Sequence, residues 1–156
     1  MKPMQSLLFS AALMLAGSSA FAHSDEYLDT QKTPNGGQQR MAGNYHFELV
    51  VAKDSKEARD NPVIVYVTDH AHAKIPTVGA GGTATILAGK QKASVKLVPD
   101  GDNRLKGVGK YASTPDMKVV VSLTLAGKPA EQARFTPLAP MAPPAAAKDG
   151  HTDHKH

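Results

Sequence analysis

No cysteine and no tryptophan occur among the 156 residues, and aromatic residues make up only 5%. Without cysteine there is no disulfide staple, no thiol nucleophile and no lipid attachment point, so a folded part must rest on its hydrophobic core alone. Without tryptophan and paired cysteines the chain also lacks the buried indole and bridge of true antibody domains. Lysine and arginine, 18 together, are spread along the chain rather than gathered. The formal net charge of +4 therefore makes no basic stripe, and with few rings to stack on bases a nucleic-acid groove is excluded. Leu7–Ala16, closed by Gly17, Ser18 and Ser19, falls well short of the ~20 apolar residues that span a bilayer.

That short run has another meaning. Lys2 supplies a positive start, Leu7–Ala16 an apolar centre, and Ala20-Phe21-Ala22 the small-x-small pattern read by signal peptidase. Residues 1–22 are expected to be a cleavable signal peptide, which puts the mature chain in the periplasm with no lasting insertion in the membrane. Residues 23–36 are polar and without periodicity, and read as a flexible segment. From residue 138 the chain turns to proline and alanine and ends in His151-Thr152-Asp153-His154-Lys155-His156, a stiff, poorly packing tail.

Between these ends, over 37–137, the apolar pattern has period two. Tyr45, Phe47, Leu49 and Val51 alternate with Asn44, His46, Glu48 and Val50, and Val63, Val65 and Val67 alternate with Ile64, Tyr66 and Thr68. Further runs lie at 38–42, 83–87, 93–98, 104–110, 119–125 and 132–136. Turn chemistry separates them at Gly43-Asn44, Asp60-Asn61-Pro62, Gly89-Lys90, 99–103, Thr114-Pro115-Asp116 and Gly127-Lys128-Pro129. Seven to eight short strands predict an all-β fold, most economically an immunoglobulin-like two-sheet sandwich, with a small barrel as the alternative.

Motifs of catalysis do not survive inspection. Gly79-Ala80-Gly81-Gly82-Thr83-Ala84 matches a dinucleotide fingerprint, but Thr85-Ile86-Leu87 and a turn follow it where a helix is required. Gly89-Lys90 lacks the glycine spacing of a phosphate-binding loop, and no serine stands in G-x-S-x-G. An enzyme is not expected.

Histidine remains, seven times. Neutral imidazole suits copper and other divalent transition metals. His70 and His72 follow a strand two residues apart, with Asp69 beside them to orient a ring, and are the first candidates for an ordered site. His23 would become the N-terminus after cleavage, where amine and ring together can chelate Cu(II) and add a third nitrogen. His151, His154 and His156 would capture metal by composition. His46 and Glu48 share the polar side of their strand and form a reserve pair, or simply its wet face. Methionine, at Met41, Met117 and Met141 of the mature chain, is too sparse to suggest a soft Cu(I) site.

Seven stretches carry a likeness to known proteins: Gly36-Gly37, Tyr45–Val50, Val65–His70, Pro76–Ala80, Gly82–Ala84, Leu87–Gly89 and Asn103–Gly109. Through them the chain from Gly36 to Phe135 resembles small periplasmic proteins associated with heavy-metal resistance in Gram-negative bacteria, and similar segments of periplasmic adaptors of metal-efflux pumps. The family often carries a histidine before the two glycines, where this chain has Asn35. The resemblance implies a periplasmic accessory that binds a metal ion and hands it to a metal-efflux adaptor. The rival expectation is a non-catalytic module that docks on an adaptor or envelope protein through an exposed strand edge.

Overall fold

Phe47 and Leu49 on one strand, and Val65 and Val67 on the next, are each at most 1% exposed, and the register pairs Phe47 with Val67 and Leu49 with Val65. Alternation has thus done what period two requires, because directly opposed residues of antiparallel strands share a face. The computed structural model describes residues 24–141. They form α1 (Asp25–Thr30), β1 (Gln38–Ala42), β2 (Tyr45–Val51), β3 (Arg59–Asp69), β4 (Gly81–Ala88), β5 (Gln91–Pro99), β6 (Arg104–Tyr111), β7 (Lys118–Thr124) and β8 (Ala130–Phe135). The expected signal peptide of 1–22, together with His23, His151, His154 and His156, lies outside the described residues. No helix among the described residues is long and apolar enough to cross a membrane.

The all-β class and eight strands agree with the sequence. Their hydrogen-bonded order, β1-β2-β3-β6-β5-β4-β7-β8, is continuous and antiparallel, and the sheet nearly closes as a barrel. This one order does not show the expected division into two immunoglobulin-like sheets. Its narrow point is β5 against β6, where only Val98–Lys106 and Pro99–Leu105 pair. There β6 lies close across β5. A Cβ at Gly107 would meet the Lys96 carbonyl oxygen, and one at Gly109 the Val95 side chain, so glycine is what lets the sheet fold back on itself. Inside are Ala84 and Ile86 of β4, Val95 and Leu97 of β5, Leu105 of β6, Val119, Val121 and Leu123 of β7, and Ala133 and Phe135 of β8. Each large buried side chain contributes about 1.5–3 kcal/mol relative to exposure, which is how a domain without disulfides holds together. Leu138, assigned from sequence to the tail, packs against this core.

Asp60-Asn61-Pro62, expected as a turn, lies within β3. Pro62 stands one step beyond the last pair with β2, Val51–Val63. At that step the Tyr111 hydroxyl accepts the Ala52 N–H (3.0 Å) and donates to the Pro62 carbonyl (2.6 Å). The phenol thus bridges the two strands where they part, and the Ala52 carbonyl, which proline has no N–H to meet, accepts from Ser113 Oγ at 2.7 Å. Asn61 is buried and donates to Ser55 Oγ and to the Tyr111 carbonyl, both at 2.8 Å.

The segment 23–36, read as flexible, carries α1. Ser24 caps it by accepting the Tyr27 N–H (3.2 Å), and Asp25 and Glu26 sit in the first turn, where carboxylates complement the helix dipole. Leu28 is buried. Arg40 shares the inward face of β1, opposite Phe47, and donates to both Asp29 oxygens at 2.7 and 3.0 Å. Gln38 donates to Asp29 (3.1 Å) and accepts the Thr136 N–H (2.8 Å) just after β8. The helix therefore covers the seam between β1 and β8 through one leucine and the pairing of Arg40 with Asp29 and, at 3.5 Å, with Asp25, too little to write a periodicity. Burial alone would raise the Asp29 pKa, but the hydrogen bonds from Arg40 and Gln38 outweigh it and hold the carboxyl below 3.8. A carboxyl with a depressed folded pKa stabilises the fold above its unfolded pKa, and that contribution is lost as pH falls through the folded value. Acid titration should release α1 below about pH 3.8, read as faster amide exchange at 25–30, and Asp29→Asn should remove this pH dependence.

Candidate metal centre

The two-residue turn Gly43-Asn44, with Gly43 at φ 56°, joins β1 to β2 as a tight hairpin whose first position requires positive φ. That turn fixes the register, and the register sets Met41 opposite His46. Both lie on the outer side of the sheet, away from Phe47. His46 Nε2 is 3.0 Å from Met41 Sδ. Although on the outer side, His46 is only 1% exposed.

Its cover comes from the loop that leaves β3. The His70 ring stacks on His46 with centroids 4.9 Å apart and planes 10° from parallel, and the His72 ring lies 5.6 Å from it at 45°. The loop is tightly built. Asp69 Oδ1 accepts the N–H groups of Ala71 (2.8 Å) and Ala73 (2.9 Å), the Asp69 N–H donates to the Ala73 carbonyl, and the His72 N–H donates to the Asp69 carbonyl. Closing so short a turn puts His72 at φ 63°, the one described non-glycine residue with positive φ. Histidine tolerates that region better than most residues, yet it is a strained position that the surroundings must hold. Asp69, expected to orient an imidazole, instead builds the loop that carries both.

Glu48 is not a partner of His46. Its Oε1 accepts the N–H groups of Asn35 (3.0 Å) and Gly37 (2.9 Å), and its Oε2 accepts from Asn35 Nδ2 (2.9 Å). Asn35 and Glu48 thereby tie the segment before β1 to β2, and Glu48 is buried in doing so. The expected wet face of His46 and Glu48 is in fact covered, by the 70–72 loop over the one and the 35–37 turn over the other.

The outer cluster is therefore Met41, His46, His70 and His72: three imidazoles and a thioether, with His70 and His72 exposed and His46 beneath them. Two imidazoles that share one ion at about 2.0–2.1 Å hold their centroids about 4.5–6 Å apart, the separation found here. Their orientation differs from a closed site. Nitrogen lone pairs lie in the ring planes, so stacked rings must turn before they converge. Accordingly, among the described residues no three histidine, aspartate or glutamate side chains are already disposed to hold an ion. Of the described methionines, Met117 is buried in the core, Met141 is exposed and Met41 alone joins the histidines. A cleft of about 810 Å³ between α1, β1, β2 and residues 136–141 is lined by Leu28, Leu49, Val51, Lys53, Pro137 and Met141 among others, and no histidine among the described residues lines it.

Fold and site define a small, nearly closed all-β barrel with an imidazole and thioether cluster on its outer face. Comparison of the chain with protein-family models, with curated proteins and with solved structures finds no match.

Proposed function

We propose that this protein is an exported accessory that captures a transition-metal ion, copper first among them, in metal homeostasis or resistance. One observation carries the reading: the rings of His70 and His72 come within 4.9 and 5.6 Å of the ring of His46, which the sequence places far from them. Three imidazoles gathered on one outer face are poorly explained by packing alone, and the strained loop at His72 costs energy that a ligand site would justify. Export rests on the signal-like residues 1–22 and delivery to a metal-efflux adaptor on the resemblance described above. The histidines at 23, 151, 154 and 156 would serve as looser collecting donors.

The test is thermal. A ligand that binds the folded chain alone stabilises it by about 2.7 kcal/mol at a hundredfold excess over Kd. The processed full-length protein should therefore melt about 10 °C higher with its metal than without. An unchanged midpoint with Cu(I), Cu(II), Ag(I) and Zn(II) would remove the proposal.

A further inference from the structure

We infer that Met41 makes the cluster a site for a soft monovalent ion, Cu(I) or Ag(I), in place of the divalent ion that histidines alone suggest. The inference rests on the metal-binding reading above and adds the class of ion. Met41 and His46 are cross-strand partners, so the hairpin itself holds a thioether and an imidazole side by side at 3.0 Å. Together they form a fixed floor, while His70 and His72 stand exposed over it on a five-residue turn and supply the way in.

Softness decides the class of ion. Thioether sulfur selects Cu(I), and it is a poor ligand for Zn(II).

Methyl-labelled methionine NMR on the processed full-length protein tests this. With one equivalent of Ag(I), a redox-inert stand-in for Cu(I), the Met41 methyl and the ring signals of His46, His70 and His72 should shift together. Zn(II) should leave the Met41 methyl where it is. Met41→Leu, which keeps the packing, should weaken Ag(I) binding about tenfold or more and leave Zn(II) uptake unchanged. A Met41 methyl unmoved by Ag(I) while the histidine rings respond would overturn the inference and leave metal binding standing. Rings and methyl unmoved by Ag(I), Cu(II) and Zn(II) alike would overturn both.

Discussion

With His70 replaced by alanine and His72 by asparagine, the thermal shift produced by copper or silver should disappear. The parent, at a hundredfold excess of metal over Kd, gains about 2.7 kcal/mol and about 10 °C; the double variant should gain less than about 2 °C on the same scale. Asparagine is chosen at 72 because the position has φ 63°, where asparagine is at home and alanine is not. Both side chains are exposed, so the metal-free variant should melt close to its parent. The readout separates this cluster from His151, His154 and His156. Those lie within six residues of sequence and are near one another whether the chain is folded or not, and binding common to both states adds no stability. A double variant that keeps the full shift would place the binding elsewhere.

The second large effect is structural. Tyr111→Phe should lower stability by about 1–3 kcal/mol, since it strips the part-buried N–H of Ala52 and the part-buried carbonyl of Pro62 of their shared partner. A melting point lower by about 5 °C or more is expected. Tyr111 is 1% exposed, and burial pushes its phenol above 10.0 although the hydrogen bond from the Ala52 N–H works against the shift. A folded pKa above the unfolded one means that the phenol stabilises the fold fully below pH 10 and loses that contribution as pH rises through the folded value. The parent should therefore lose stability above pH 10 more steeply than Tyr111→Phe. Equal slopes, or a loss under about 0.5 kcal/mol, would mean that the hydroxyl does not bridge the strands.

Why some of this could be read in sequence and some not follows from the range of the interactions. The strands were legible because each carries its own alternation, and β1 and β2 begin and end where the pattern does. Asp60-Asn61-Pro62 misled because the hydroxyl that completes the sheet there comes from Tyr111, 49 residues from Pro62. The buried state of His46 was hidden for the same reason: its cover is the 70–72 loop, and pattern along one strand says nothing of what lies over it. His70 and His72 are legible as a pair, whereas the loop-building of Asp69 is not, because a carboxylate next to imidazoles fits an orienting role and a turn equally well. Met41 was within reach. Once Gly43-Asn44 is taken as a two-residue hairpin, pairing of Ala42 with Tyr45 forces Met41 opposite His46. Counting methionines concealed what register would have exposed.

The most direct measurement is an anomalous-difference map from crystals of the processed protein grown with silver or copper. The account predicts one ordered ion between Met41 Sδ and the rings of His46, His70 and His72, at nitrogen distances of about 2 Å with the rings turned to converge on it. Ordered metal elsewhere, with His46 and His70 still stacked and nothing between them, would contradict it.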